Sequence, residues 1–335
     1  MIEWNTPKYS EREKELVGEV IDSGYVSEGP KTKELEKKLA ELVGCKYIVM
    51  TTSATAALYL AIEADKRVRG YVKGEVIIPA LTFIGTKNPV ELARLDIIYS
   101  DVNPGDFTLD DRFVYSKKTK IVIPVNLLGR GCSEEIINNK DYTTICDNAG
   151  CLGSDVPIGK VGCYSLQANK VVNCGQGGFC ATNDERYYKE IRKIKDFGRE
   201  DKEDNRTIGF NFKFNDILAA VVLGQLETIE DRRIKSKEQL NEYYKELNEY
   251  GEFMDYLNIE IPLWIEFMTD KRDELHNYLL SKGIKCRKPW KPLMDLENSI
   301  IYYNQCLWLP NGFGLTEKEQ EEVIKSIKEF YGKNN

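Results

Sequence analysis

The chain has 335 residues, 47 basic and 54 acidic side chains, and a formal net charge of -7. That length calls for two domains or one large domain with an appendage, and the acid excess disfavours nucleic acid as a partner. A single histidine, His276, leaves no basis for a histidine-rich metal site or a Ser-His-Asp triad, so no metal is expected.

No apolar run approaches the roughly 20 residues that span a bilayer, so no membrane association is expected. The start, Met1-Ile2-Glu3-Trp4-Asn5, lacks the basic and apolar regions of a secretory signal. Nine cysteines without Cys-x-x-Cys spacing read as buried, reduced thiols of a cytoplasmic protein.

In chain order, residues 9 to 23 alternate charged and aliphatic residues at helical spacing, and Gly24 ends the run. After the loop Tyr25 to Pro30, a second helix runs to Val43 with Leu35, Leu39 and Leu42 on one face. Tyr47 to Met50 is a short buried strand. Ser53-Ala54-Thr55 then opens an alanine-rich helix, and a helix N-terminus with free N–H groups suits a phosphate.

Strands follow at 76–79, 97–100, 121–125 and 143–147, with a helix between the first two. Asp147 closes its strand, where carboxylates face the ligand crevice of open α/β sheets. Residues 161–164 and 179–182 are two more strands. Between them lie Ser165, Lys170 and the glycine-rich Gly175-Gln176-Gly177-Gly178, a setting in which a lysine can serve covalent carbonyl chemistry. The alternation of strand and helix predicts a largely parallel sheet with helices on both faces.

Glu185 to Phe197 is a charged helix and 198–208 a polar loop. One long helix is expected from Ile217 through Arg232 towards Leu247. A smaller C-terminal unit follows: a strand over 259–264, a helix over 271–281, a turn into a strand at 283–287 and a strand at 306–310. Thr316 and Glu319 form a capping box before the last helix. The expected division is 1–235 and 236–335.

In this order the segments resemble the DegT-type family of sugar aminotransferases, which use pyridoxal 5'-phosphate (PLP). The matching stretches are Ser23 to Pro30, Ser53 to Leu58, Thr82-Phe83 with Thr86 and Asn88, and Pro124 to Gly129. They continue with Asp147-x-Ala149, Ser165 to Lys170 with Gly175 to Gly178, Gly209-x-Asn211-x-Lys213, and Leu309-Pro310 with Gly314 to Thr316. The resemblance implies the aspartate-aminotransferase-like fold (PLP fold type I): a large domain with a mostly parallel mixed sheet flanked by helices, plus a small C-terminal α/β domain.

It further implies Lys170 as the lysine that forms the internal aldimine and Asp147 as the partner of the pyridine nitrogen. Phe83 would stack on the ring, and Ala54, Thr55 and Ser165 would hold the phosphate, with Asn211 from a second subunit of a homodimer with shared active sites. The implied reaction moves the amino group of L-glutamate to a nucleotide-linked keto-sugar through pyridoxamine phosphate. Substrate contacts are expected from Tyr25, Asn126, Lys213, Arg287 and Lys291. The alternatives are a PLP-dependent sugar dehydratase, against which the retained Lys170 speaks, and a non-catalytic PLP-binding regulatory protein. The chain departs from the family pattern at Gly150, where glutamine or histidine is usual, and at Asn126, Gln176 and Lys213.

Overall fold

The computed structural model describes residues 1–200, 207–254 and 261–333. Two helices come first, α1 (Glu11–Ser23) and α2 (Pro30–Val43). Ser10 and Glu13 form a capping box at the start of α1, and Gly24 ends it in the left-handed conformation. The α2 N-terminus is tied down from a distance: the buried Asp216 carboxylate accepts the N–H groups of Gly29, Lys31 and Thr32 at 2.8–2.9 Å.

Strand β1 (Tyr47–Thr51), α3 (Ala54–Arg69), β2 (Glu75–Pro79), α4 (Ile84–Leu92) and β3 (Asp96–Ser100) follow. Then come β4 (Thr119–Val122), a 3-10 turn at Leu127–Gly129, the short α5 (Glu134–Asn138), β5 (Thr143–Asp147), β6 (Val161–Ser165) and β7 (Gly178–Thr182). The seven strands lie in the order β1-β7-β6-β5-β4-β2-β3. Pairs β2–β3, β2–β4, β4–β5 and β5–β6 are parallel, while β7 runs antiparallel to β1 and β6. The sheet is therefore mostly parallel and mixed, as expected.

Strand residues alternate between two cores because successive side chains point to opposite faces. Val49, Cys163 and Cys180 pack with α3, α4 and α6 (Glu185–Lys195). Ile48, Met50, Tyr164 and Phe179 pack with α1, α2 and α7 (Asp216–Leu226).

Several expectations are corrected. The single helix from 217 to 247 is two, α7 and α8 (Ile229–Leu247). Thr228 leaves helical geometry (φ -115°, ψ 18°), and its hydroxyl donates to the Gln225 carbonyl at 3.2 Å, closing a turn instead of continuing the ladder. Strand β4 ends at Val122. Val125 rejoins the sheet only through an isolated bridge to Asp147, because Pro124 offers no N–H.

The expected strand at 259–264 falls partly outside the described residues. Its remainder, Ile261 to Trp264 around Pro262, is not extended pairing but the lead into β9 (Ile265–Met268). That strand lies between β8 (Glu252–Phe253) and β10 (Cys306–Leu309) in a three-stranded antiparallel sheet. The strand at 283–287 reduces to isolated bridges, Ile2 with Ile284 and Arg287 with Trp308. Helices α9 (Arg272–Ser281), α10 (Glu297–Gln305) and α11 (Glu317–Lys333) complete the chain. The Thr316–Glu319 box stands at the head of α11, while α10 had no counterpart in the sequence reading. Of the polar loop 198–208, residues 201–206 lie outside the described residues.

The small sheet packs its own core with α8, α9 and α11. We propose the division into 1–235 and 236–335 on that basis, with α8 crossing it. The extreme N-terminus joins the C-terminal unit, because Ile2 and Asn5 bridge to Ile284 and Asn311.

Candidate active site

The C-terminal ends of β2, β4, β5 and β6 open on one cavity of about 350 Å³. A crevice at the carboxyl ends of strands is where parallel sheets bind ligands, since each strand there hands over to a loop free to carry a side chain.

The α3 N-terminus forms one end. Ser53 is the N-cap, its hydroxyl accepting the Ala56 N–H at 3.1 Å. The first-turn N–H groups of Ala54 and Thr55 have no intrahelical partner, and Thr55 lines the cavity. The helix can start this close to the sheet because residue 178 is glycine: a Cβ there would lie 2.5 Å from Ala54 N and 2.6 Å from the Tyr164 carbonyl oxygen. Ser165, at the end of β6 opposite Gly178, lines the same end. Two exposed N–H groups at the positive end of a helix dipole, flanked by hydroxyls, suit a phosphate.

Asp147 also lines the cavity and is buried. Its Oδ2 accepts the Thr86 hydroxyl at 2.7 Å and its Oδ1 the Ala149 N–H at 3.1 Å. Burial pushes its carboxyl above the usual carboxylate range, and Thr86, the Ala149 N–H and the Lys170 charge pull it back.

Lys170 comes from the loop after β6. Its backbone closes a turn onto Gln167, and the Asn173 side chain donates to its carbonyl at 3.1 Å. Its side chain is half-buried and lines the cavity. No hydrogen bond or ion pair holds its Nζ among the described residues; the nearest aromatic face is Trp264, 5.1 Å from Nζ to the ring centroid. Desolvation lowers its pKa to about 8, against the opposing pull of Asp147 and Cys151, and Arg287 lowers it slightly further. An amine near neutrality with no partner is a ready nucleophile.

Phe83 lies at the mouth, half exposed, tilted against Trp290 with ring centroids 5.7 Å apart. Arg287 lines the opposite wall, its guanidinium 4.7 Å over Trp4. Asn126 also borders the cavity, but its side chain is committed elsewhere. It donates to Asn148 Oδ1 at 2.6 Å and to the Pro157 carbonyl, and accepts the Cys132 N–H at 2.8 Å. These bonds make Asn126 a structural tie between the β4 and β5 loops at the edge of the cavity.

Four expected residues do not reach the cavity within one chain. Asn211 is exposed and bridges to Asp196. Lys213 pairs with Asp196 at 3.1 Å, Tyr25 sits on an exposed loop, and Lys291 is exposed. Thr86, the carboxylate's partner, was not among the expected site residues, although it lies in one of the matching stretches. Nor were Leu263, Trp264 and Trp290, which line the cavity from the C-terminal unit and carry no motif. The place opened by Gly150 is filled by Leu263, whose Cδ2 would lie 2.9 Å from a Cβ at residue 150.

Known proteins resemble this chain in sequence and in fold. A GDP-perosamine synthase of Escherichia coli O157:H7 is 28% identical over 359 residues, covering 97% of each chain. A UDP-2-acetamido-2-deoxy-3-oxo-D-glucuronate aminotransferase of Pseudomonas aeruginosa is 28% identical over 283 residues, 79% of this chain and 78% of that one. The fold matches that of a Streptococcus pneumoniae protein described as a sugar aminotransferase, Spr1654, in its PLP form. The TM-score is 0.91 at 22% identity, over 99% of both chains. The DegT/DnrJ/EryC1/StrS aminotransferase pattern runs from residue 7 to residue 328. It thus takes in the α3 N-terminus, the Asp147 and Lys170 segments and the C-terminal unit together, and the chain belongs to the DegT/DnrJ/EryC1/StrS aminotransferase family.

Proposed function

We propose that this protein transfers the amino group of L-glutamate to the ketone of a nucleotide-linked sugar, with PLP bound in the cavity beside Lys170 and Asp147. The observation that carries the reading is the convergence on one cavity of an unpaired lysine amine with a pKa near 8 and a buried carboxylate. The donor set fits the cofactor: helix N–H groups and hydroxyls, a buried carboxylate and an amine within its electrostatic reach line one cavity.

PLP supplies an aldehyde with which amines condense and a pyridine ring that takes up electron density from the bonds being broken. The chain's own residues would do the rest. The Ala54 and Thr55 N–H groups, the Thr55 hydroxyl and Ser165 would hold the phosphate. Asp147, kept ionised by a protonated pyridine nitrogen and by Thr86, would keep that nitrogen charged. Phe83 would fix the ring plane. Lys170 Nζ would take a proton from the carbon of the donor in the first half-reaction and give one to the carbon of the acceptor in the second. Arg287, which has no carboxylate partner among the described residues, would take a carboxylate of glutamate.

Asn211, Lys213 and Tyr25 lie outside the cavity of their own chain. The reading therefore includes a homodimer in which they serve the partner's site. As a biosynthetic enzyme of nucleotide sugars, the protein would work in the cytoplasm.

Purified protein mixed with PLP should develop a visible absorbance band that Lys170→Ala abolishes. Incubation with glutamate and a panel of nucleotide 3-keto- and 4-keto-sugars should give an amino-sugar by mass, with 2-oxoglutarate. Failure of glutamate to discharge the visible band would overturn the reading.

A further inference from the structure

Facing the proposed cofactor residues, the cavity has a wall drawn from the C-terminal unit: Leu263, Trp264, Arg287 and Trp290. All four tryptophans of the chain gather there. Trp264 lies 4.3 Å from Trp308, 5.1 Å from Trp4 and 5.6 Å from Trp290, centroid to centroid, and Trp290 lies 5.0 Å from Trp308. The back of the cluster is hydrogen-bonded in place. Trp308 Nε1 donates to the Tyr302 hydroxyl at 3.1 Å, and Tyr302 donates to the Glu266 carboxylate, which also receives the Arg130 guanidinium. Such a chain of buried partners leaves the indoles one arrangement.

Two relations place this wall at the reacting centre. Lys170 Nζ is 5.1 Å from the Trp264 centroid. A carbon that exchanges a proton with that amine must approach it to about 3–3.5 Å, which puts the substituents of that carbon within reach of the indole. Gly150 contributes no side chain, and Leu263 occupies the space one would enter.

We propose that Trp264, backed by Trp290, is the specificity-determining surface for the acceptor: the C–H face of the hexose packs against this indole wall. This rests on the sugar-aminotransferase reading above. A sugar face of ring hydrogens packs on an aromatic ring. A hydroxyl turned toward the same wall loses its water without a partner, so the wall discriminates between epimers by the face that carries the hydroxyls.

The test separates sugar from donor. With Trp264→Leu, the KM for the keto-sugar should rise about tenfold while the rate of the glutamate half-reaction stays within about threefold. Trp264→Phe, which keeps a ring face, should recover most of the loss. Independently of turnover, tryptophan quenching is titrated with UDP-, dTDP- and GDP-hexoses against the matching nucleoside diphosphates. The hexose should add affinity in the natural protein and in the Phe variant, and add none in the Leu variant. If Trp264→Leu does not fold, Trp290→Leu at the cavity mouth is read in the same two assays. Equal losses in both half-reactions, a Phe variant no better than Leu, or an unchanged hexose contribution in the Leu variant each overturn the proposal. A natural protein inert to glutamate overturns the aminotransferase reading instead, and the quenching titration still decides the wall.

Discussion

Thr86 Oγ1 donates to Asp147 Oδ2 at 2.7 Å, and the Thr82 hydroxyl lies 2.7 Å from the same Thr86 oxygen. Because the Thr86 proton goes to the carboxylate, Thr82 must be the donor in the second bond. All three side chains are buried, so the hydroxyl relay is what stabilises charge on Asp147 in a place where burial opposes it. Thr86→Val keeps the shape and removes the donor. It should weaken PLP binding about tenfold, in line with about 1–3 kcal/mol for a lost hydrogen bond to a charged group, whereas Thr86→Ser should bind nearly as the natural protein. A fluorescence titration with PLP measures both.

The Lys170 amine should lose its proton near pH 8 in the cofactor-free protein. The rate at which the visible band forms on adding PLP should then rise with pH and level off above about 8; a rate still climbing at pH 10 would contradict the shift. The same group bears on stability. Its folded pKa lies below its ordinary 10.5, so the unfolded chain binds more protons between those values and stability rises with pH across that window. Lys170→Met should therefore be more stable than the natural apo-protein below pH 8, by a margin that shrinks as pH climbs from 8 towards 10.5.

Gly178→Ala places a methyl group 2.5 Å from Ala54 N and from the Ser53 carbonyl carbon, both backbone atoms that cannot step aside alone. The start of α3 must lift off the sheet. Overpacking of this kind costs about 1–3 kcal/mol, and here it also displaces the N–H groups proposed for the phosphate. Urea unfolding should show the lost stability, and inorganic phosphate should compete less well with PLP in the variant.

Arg130, in the loop after β4, and Glu266, on β9, form a buried two-pronged ion pair, one arm of which is 3.0 Å. Glu266 also holds Tyr302, and Arg130 Nε donates to the Asp106 carbonyl at 2.7 Å. Glu266→Gln should cost about 3–5 kcal/mol in urea unfolding, because it strands a buried guanidinium. Replacing both partners by methionine should cost clearly less than either single change.

The proposed sharing of sites between subunits has its own signature. Lys170→Ala and Asn211→Ala, each of low activity alone, should regain up to about a quarter of natural activity when unfolded and refolded together. Half of the dimers are then mixed, and each mixed dimer has one intact site. No gain on mixing, with dimers confirmed by sedimentation, would confine each site to one chain.

Most of the large unit is written locally. Ser10 with Glu13, Pro30, Ser53 and Gly24 mark helix ends by their own hydrogen bonds or backbone geometry, so the strand–helix alternation, the parallel sheet, Asp147 at the end of its strand and Lys170 in the loop between two strands were legible from residue order. Three things were not. The break at Thr228 depends on one side chain bonding back to Gln225, and α10 has no side-chain cap to announce it. The partner of Asp147 is Thr86, far along the chain, and only folding brings a hydroxyl and a carboxylate to 2.7 Å. The wall of Leu263, Trp264 and Trp290 follows no periodic pattern, since it lies in loops whose course is set by packing against Trp4, Trp308 and the Glu266 cluster. Local propensity and capping chemistry thus determined which elements form and which ends carry the chemistry. Long-range packing alone decided what faces Lys170 across the cavity, because that contact joins segments about ninety residues apart whose side chains acquire a common surface only in the folded chain.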